Sequence, residues 1–258
     1  MKRLFLLAAA AALVATTSVA DAKDWKKVRI GVEGAYPPFS ETTPSGELKG
    51  FDIDIAWALC EEMKVECELV KQDWDGIIPA LLAKKYDAIL ASMSITPERQ
   101  KKVDFAIKYY STPAKFIARE GVDWTDTNDG LKDKVIGLQR GTTHQAYMEK
   151  HFPDVEVKLY GTQDEVYLDL QAGRIDAIMA DSVAMLDGFL KTESGKGYAF
   201  FGGEHYDREI HGDGAGIAIR KGEDDLRLKF NAAIEAIRKN GTYDRISKKY
   251  FEFDVYGS

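Results

Sequence analysis

The chain contains one pattern twice, as LLAKKYDAILAS at 81–92 and as LQAGRIDAIMAD at 170–181. In each copy a helix-like end and a basic residue precede Asp-Ala-Ile, and the copy closes on a polar residue. A second, shorter similarity (the second echo) has the same order: RIGVE at 29–33 precedes the first copy, and the similar VIGLQ at 135–139 precedes the second. Any single unit of a parallel α/β fold has this pattern, so one echo alone decides little. Two echoes in the same order favour two similar lobes.

Short apolar runs typical of strands alternate with helical stretches along the chain. VRIGVE has the pattern of a strand, GFDIDIAWALCEEM that of a helix and ECELVKQ that of the next strand. Strands separated by helices of this length predict mostly parallel sheets with helices on both faces, and therefore an α/β fold. The apolar stretch at 109–120 is a candidate for the outward crossing between the lobes, and GDGAGIAIRK at 212–221 for the return. Two crossings imply a hinge and a cleft.

The first 22 residues have the features of a secretory signal peptide. Lys2 and Arg3 form a basic start, an apolar run covers 4–15, and small residues offer a cleavage site after Ala20 or after Ala22. The apolar run is well short of the roughly 20 residues that cross a bilayer, although a retained signal anchor is the alternative. We therefore expect a cleaved, soluble, exported protein.

Charge and cysteine content limit the partners of the chain. The formal net charge is −7 without basic runs, which argues against binding to nucleic acid or to anionic membranes. In an oxidising compartment Cys60 and Cys67 favour one disulfide, with two free thiols as the alternative. A metal site needs more ligands than these, and the four histidines have no clustered spacing with them. We expect neither a metal nor a cofactor.

Polar side chains follow the predicted parallel strands at their carboxyl ends, which is where open α/β sheets bind ligands. These ends supply Glu33, Ser92, Ser94, the segment 139–143 and Asp181. The repeated strand therefore ends twice at one cavity, once from each lobe, and the two ends offer different polar groups to one ligand.

The groups at these strand ends are complementary to a zwitterion. Arg99 offers a planar fork of donors suited to a carboxylate, and Thr142 and Thr143 mark a helix start that favours an anion. Asp181 is an acceptor for an ammonium group, with the Ser94 hydroxyl beside it. Each also has an ordinary explanation: surface charge for Arg99, an N-cap for Thr142, and a helix cap for Asp181. Their convergence on strand ends favours a binding site.

Two aromatic residues and one acid indicate what lies beyond the head group of the ligand. Tyr36 and Trp74 come just after strands and can enclose an aliphatic stem or a guanidinium. Core packing is the more common role of a lone aromatic and is the alternative for both. Glu33, at the end of the first strand, can pair with a distal cation.

Several motifs resemble the periplasmic amino-acid-binding proteins of ABC importers. The proteins in question form solute-binding protein family 3, and the resemblance is to its lysine/arginine/ornithine-, histidine- and arginine-binding members. The likeness covers essentially the whole mature chain: AYPPF, GFDIDIAWALC, the Cys60–Cys67 spacing, DWDGIIPALLAKKYDAILASMSITPERQ, GTTHQAY, LDLQAGRIDAIMAD and GTYDRISKKYF. It implies a type II periplasmic-binding-protein fold, with two lobes that are each a mostly parallel sheet flanked by helices, joined by two hinge strands. The expected segments are the signal peptide at 1–22, lobe 1 at 23–111 and 215–258, lobe 2 at 115–206, and hinge crossings at 112–114 and 207–214.

The resemblance also implies how the head group is held. Arg99, with backbone amides at Ser94 and Thr143, would hold the ligand carboxylate. Asp181, the Ser94 hydroxyl and the Ser92 carbonyl would hold the α-ammonium.

The remaining candidates would surround the ligand side chain. Tyr36 and Trp74 would flank it, and Glu33 would meet its cationic end. Met93, Gln139 and Thr142 complete the candidate set. In the lysine/arginine/ornithine-binding relatives the positions of Glu33, Trp74 and Gln139 hold aspartate, phenylalanine and leucine. The longer acid leaves less space, and Gln139 adds hydrogen-bonding capacity suited to a guanidinium.

The function implied by the resemblance is that of a periplasmic receptor, not an enzyme. It would capture a basic L-amino acid as a monomer and deliver it to an ABC permease, with arginine favoured and lysine, ornithine and histidine as further ligands. An opine-binding protein (octopine- or nopaline-like) is one alternative. A periplasmic dehydratase of the cyclohexadienyl or arogenate type on the same scaffold is another, and a sensor domain is a third.

Overall fold

The computed structural model describes residues 24–257. The predicted signal peptide and its cleavage site lie outside these residues. Among the residues described, no helix combines the length and the apolar character needed to cross a membrane.

Thirteen strands and ten α-helices form the described part of the chain. The strands are β1 (Lys27–Val32), β2 (Ala35–Tyr36), β3 (Ser40–Thr42), β4 (Leu48–Lys49), β5 (Glu66–Lys71), β6 (Ala88–Ile89), β7 (Val103–Tyr110), β8 (Ala114–Arg119), β9 (Val135–Gln139), β10 (Glu156–Tyr160), β11 (Ala177–Asp181), β12 (Tyr198–His205) and β13 (Ala215–Arg220). The helices are α1 (Phe51–Met63), α2 (Ile77–Leu82), α3 (Pro97–Gln100), α4 (Asn128–Leu131), α5 (Thr143–His151), α6 (Gln163–Gln171), α7 (Ser182–Met185), α8 (Arg208–His211), α9 (Asp224–Lys239) and α10 (Thr242–Tyr250).

The two larger sheets share one topology. The first sheet has the strand order β5-β1-β6-β13-β7, and the second has the order β10-β9-β11-β8-β12. In each sheet one strand, β13 or β8, runs against the other four. The prediction of an α/β fold with two mostly parallel sheets is confirmed.

The sequence echoes occupy equivalent strands with the same register. In the first sheet Ile30 of β1 is the register partner of Ala88 in β6. In the second sheet Ile136 of β9 is the partner of Ala177 in β11. Residues that the echoes align are therefore paired in the same way in both sheets.

The aspartate of Asp-Ala-Ile has the same structural role in both copies. The Asp87 carboxylate accepts a hydrogen bond from the backbone N–H of Arg29 at 3.0 Å. The Asp176 carboxylate accepts one from the N–H of Val135 at 2.8 Å, at the start of the equivalent strand. Each aspartate thus joins its own strand to the neighbouring one, which explains why both copies contain it.

Apolar layers cover both faces of each larger sheet. On one face of the first sheet Val28 and Ile30 pack with Leu59 of α1, and on the other Ile89 packs with Leu81 of α2. The second sheet has two corresponding clusters. Because both faces are buried, the strands read as continuous apolar runs, which is typical of parallel sheets.

Two segments connect the larger sheets. The first lies between Tyr110, where β7 ends, and Ala114, where β8 begins. The second lies between His205, where β12 ends, and Ala215, where β13 begins, and it contains α8. The sequence analysis predicted the returning strand but not this short helix.

Cys60 of α1 and Cys67 of β5 form a disulfide, with their Cα atoms 6.1 Å apart. The predicted pairing is confirmed, and the alternative of two free thiols is wrong. The bond ties the end of α1 to the strand that follows it.

Removal of this disulfide by the double substitution Cys60→Ala and Cys67→Ala is expected to lower the free energy of unfolding by about 2 kcal/mol, because the closed loop is short. Urea denaturation with and without a reducing agent measures the change. Reductant should destabilise the wild type to the same extent and leave the double variant unchanged. Equal stability of wild type and variant would contradict the estimate.

Candidate functional site

A cavity lies between the two larger sheets, at the carboxyl ends of their parallel strands. Ten of the eleven predicted binding residues line it: Glu33, Tyr36, Trp74, Ser92, Ser94, Arg99, Gln139, Thr142, Thr143 and Asp181. The first six of these residues, Glu33 to Arg99, come from the first sheet and its loops, and the other four come from the second sheet and its loops. Residues that are distant in sequence thus surround one space.

Met93 is the exception, because its side chain does not line the cavity. It is fully buried in an apolar cluster of the first sheet, together with Ile77 and Tyr86. The chain bends after β6, where Ser92 has a positive φ of 52°, so the segment does not continue as a regular strand. Ser92 and Ser94 reach the cavity, and Met93 between them faces the core. The expectation for the Met93 side chain is corrected accordingly.

Arg99 lies on α3 and reaches across the cavity. One terminal nitrogen, Nη1, donates to the carbonyl oxygen of Ser94 at 3.1 Å. The other, Nη2, donates to the carbonyl oxygen of Gly141 at 3.3 Å, at the end of the second sheet. Burial lowers the pKa of Arg99 to about 10, so the side chain is a cation at neutral pH. Both recorded partners are neutral carbonyl groups, which leaves the positive charge available to an anion.

Asp181 ends β11 and is the N-cap of α7. Its Oδ1 accepts hydrogen bonds from the backbone N–H groups of Val183 at 2.8 Å and Ala184 at 3.1 Å. The hydroxyl of Thr112 donates to Oδ2. Burial raises the pKa of Asp181, and no cationic side chain contributes to the shift. The helix-cap explanation and the cavity position therefore both hold, because one carboxylate serves both.

Glu33 and Gln139 meet at another part of the cavity wall. Nε2 of Gln139 donates to Oε1 of Glu33 at 2.6 Å and to the carbonyl oxygen of Gly161 at 3.2 Å. Glu33 is only 4% exposed. Burial raises its pKa to about 7 against the opposing hydrogen bond from Gln139. A buried carboxylate without a cation is costly, so this position favours a ligand with positive charge.

The two predicted aromatic residues have mixed surroundings. Tyr36 is 9% exposed, and its ring stacks on Phe39 with centroids 5.9 Å apart. The Trp74 ring lies 5.2 Å from the guanidinium carbon of Arg99. Each residue both packs against its own lobe and borders the cavity, so the packing and binding explanations are not exclusive.

Thr142 and Thr143 lie at the start of α5, as predicted. Thr142 is the N-cap: its hydroxyl accepts from the N–H of Gln145 at 3.3 Å and donates to the carbonyl oxygen of Gln139 at 2.8 Å. Thr143 is the first residue of the helix and is buried. The free N–H groups of this first turn are suited to an anion.

The structure adds ten lining residues that the sequence analysis missed: Ala91, Tyr110, Ser111, Thr112, Ala114, His144, Tyr206, His211, Gly214 and Ala215. Half of them come from the two connections between the sheets. The ring centroids of His144 and His211 are 6.1 Å apart, and burial lowers the pKa of His144 to about 3. His144 is therefore neutral at physiological pH. Within residues 24–257 no cluster of side chains is suited to a metal ion.

Contacts across the cavity hold the two sheets close together. The Glu33–Gln139 and Arg99–Gly141 hydrogen bonds each join one sheet to the other. At the surface, Arg140 after β9 forms an ion pair with Asp75. Direct contacts therefore join the two sheets around the cavity.

Comparisons with known proteins agree with this geometry. The family model described as bacterial extracellular solute-binding proteins, family 3, matches residues 28–253. The L-arginine-binding protein of Pseudomonas aeruginosa is 54% identical over 262 residues, with 100% of both chains covered. The lysine/arginine/ornithine-binding periplasmic protein of Escherichia coli is 44% identical, with 89% of each chain covered. A solved structure of an ancestral arginine-binding protein bound to arginine has a TM-score of 0.81 and 37% identity, covering 88% of this chain and 98% of that one.

Proposed function

The chain belongs to the bacterial extracellular solute-binding proteins, family 3. We propose that it captures a basic L-amino acid and that arginine is its preferred ligand. It acts in the periplasm and delivers the ligand to the permease of an ABC importer. Relatives named for arginine and for lysine, arginine and ornithine support this ligand class.

One observation carries the choice of a basic ligand. The cavity has the positive charge of Arg99 and the negative charge of Asp181 for a zwitterionic head, and it has a further buried carboxylate, Glu33. A neutral amino acid would leave Glu33 buried without a cation, whereas the guanidinium of arginine compensates it. Gln139 adds a second polar group beside that cation.

The head group would be bound by residues of both sheets. Arg99 and the backbone amides at Ser94 and Thr143 hold the carboxylate. Asp181, the Ser94 hydroxyl and the Ser92 carbonyl hold the α-ammonium. Contacts from both sides give the ligand a differential affinity for the closed form, which is what drives closure.

The side chain of the ligand would extend between Tyr36 and Trp74 toward Glu33 and Gln139. Aromatic contacts of this kind contribute about 0.5–2 kcal/mol each to binding of a cation.

The lobe boundaries remain part of the proposal. Lobe 1 comprises 23–111 and 215–258, and lobe 2 comprises 115–206. The crossings at 112–114 and 207–214 lie close to the ends of the strands that connect the sheets, which supports a hinge there.

We also infer that the protein is a receptor and not an enzyme. Its close relatives are named as binding proteins. A dehydratase would use Glu33 or Asp181 as a general acid, whereas the proposed receptor uses both carboxylates to bind cationic groups of an unreacted amino acid. Incubation with prephenate or arogenate should show no turnover. The monomeric state and the lack of a nucleic-acid partner stay predictions.

A thermal-shift screen tests the ligand class directly. We expect arginine to raise the melting temperature most, since ligand at 1,000 times Kd stabilises a protein by about 4 kcal/mol. Lysine, ornithine, histidine, glutamine and octopine complete the panel. No shift with any basic amino acid would contradict the proposal, and a larger shift with octopine would assign the protein to opines.

Arginine affinity is expected to fall as the pH is lowered from 8 to 5, because burial raises the pKa of Glu33 to about 7. Below that pH the carboxyl group must lose a proton before it pairs with the guanidinium, which costs up to about tenfold in affinity per pH unit. Calorimetry at several pH values measures this dependence.

Glu33→Gln should remove most of this pH dependence and weaken arginine more than glutamine. Glu41→Gln is the control, since Glu41 pairs with Lys49 outside the cavity-lining residues. A pH profile of Glu33→Gln as steep as that of the wild type would show that another group is the distal partner.

A further inference from the structure

Ser92, at the end of the first repeated strand, has a left-handed backbone conformation. Its φ is 52°, a region that residues with a side chain rarely adopt. It lies in the cavity wall, where the proposed function assigns its carbonyl to the α-ammonium. Such a conformation persists only where the surroundings hold it, so the residues that contact Ser92 decide the shape of the site.

Asp52 is one of these residues, and it is fully buried on the first turn of α1. The Ser92 hydroxyl donates to Oδ2 of Asp52 at 3.0 Å. The Tyr109 hydroxyl donates to Oδ1 of Asp52 at 2.9 Å and accepts from the backbone N–H of Ser92 at 2.9 Å. These bonds close a ring of three residues that fixes both the backbone and the side chain of Ser92.

This ring differs from the ordinary role of an acid at a helix start. Asp54, on the same turn of α1, accepts from Nζ of Lys249 and from the Tyr250 hydroxyl, both at 3.0 Å. Asp54 is near the surface and pairs with a cation. The recorded partners of Asp52 are two hydroxyl groups, and one of them belongs to a residue of the cavity wall.

We propose that Asp52 is a positioning residue for ligand binding: together with Tyr109 it holds Ser92 in the left-handed conformation that presents the Ser92 carbonyl to the α-ammonium. This inference rests on the proposed function. Asp52 itself does not line the cavity. Its effect on the ligand passes through the backbone of Ser92.

Asp52→Asn and Tyr109→Phe are each expected to weaken arginine binding about 10- to 100-fold, because Ser92 then relaxes to a commoner conformation. Asp54→Asn and Tyr250→Phe are the matched controls and should leave the affinity unchanged. Calorimetry at 25 °C, below the melting temperature of each variant, separates loss of affinity from loss of stability. Tyr109→Phe removes a single hydroxyl and provides the test if Asp52→Asn does not fold.

Repeating the Asp52 and Tyr109 substitutions in a Ser92→Gly variant tests whether they act through the backbone of Ser92. Glycine adopts a positive φ without steric cost, so the backbone no longer needs the ring. In this background Asp52→Asn or Tyr109→Phe should change arginine affinity by less than about threefold. An equal loss in both backgrounds would overturn the inference, since Asp52 would then act by its charge or through the general fold. Wild-type affinity in both single variants would also overturn it. Failure of the wild type to bind any basic amino acid would instead overturn the proposed function.

Discussion

Replacement of Asp181 by asparagine is expected to weaken arginine binding about 10³-fold in isothermal titration calorimetry. Asparagine has the shape of aspartate and is an equally good N-cap, so it keeps the hydrogen bonds from Val183 and Ala184. The negative charge is removed, and an amide N–H donor replaces the Oδ2 acceptor, so the Thr112 hydroxyl must accept where it donated. The α-ammonium of the ligand would then be buried without a partner charge, and this accounts for the size of the loss.

Asp176→Asn is the matched control for this substitution. Asp176 lies at the other end of the same strand, accepts from the N–H of Val135 and does not line the cavity. The Asp176→Asn variant should therefore bind arginine as tightly as the wild type. A ligand without the α-ammonium, 5-guanidinopentanoate, should lose little affinity in Asp181→Asn. Arginine affinity within about threefold of wild type in Asp181→Asn would contradict the ammonium role.

The sequence predicted the cavity because the position of a strand end follows from the strand itself. Once RIGVE and VIGLQ are assigned to equivalent parallel strands, their carboxyl ends must lie on one side of each sheet. Glu33 and Gln139 follow directly from this rule. Asp181 follows in the same way from the second copy of Asp-Ala-Ile.

The rule does not extend to segments outside the parallel strands. Thr112 and His211 lie in the connections between the sheets, and their position depends on how the sheets approach each other. No local pattern encodes that approach. Met93 was among the predicted binding residues, but its side chain lies in an apolar cluster of the first sheet and not in the cavity wall.

Asp52 shows a further limit of sequence reasoning. Its neighbours in GFDIDIAWALC predict an amphipathic helix, in which an acid on the first turn interacts favourably with the helix dipole. The sequence gives no sign that Asp52 is buried while Asp54 is near the surface. The difference arises because Tyr109 and Ser92, from two other segments of the chain, both donate hydrogen bonds to the Asp52 carboxylate.

Replacement of Arg99 by methionine is expected to weaken arginine binding about as strongly as Asp181→Asn, about 10³-fold. Among the described residues that line the cavity, Arg99 is the only lysine or arginine. Without it the ligand carboxylate is buried against uncharged groups. Arg99→Lys keeps the charge but loses the planar fork, so an intermediate loss of about 10- to 100-fold is expected.

Arg140→Met distinguishes binding of the ligand from bridging of the two sheets. Arg140 also joins the sheets, through Asp75, but its side chain is 50% exposed and lies outside the cavity wall. A surface pair of this kind contributes at most about 1 kcal/mol, so we expect less than about a fivefold loss. Agmatine, which is arginine without its carboxylate, should bind weakly and be insensitive to Arg99→Met. If Arg99→Met and Arg140→Met weakened arginine equally, the contribution of Arg99 would be its bond to Gly141 across the cleft, and the carboxylate would need another partner.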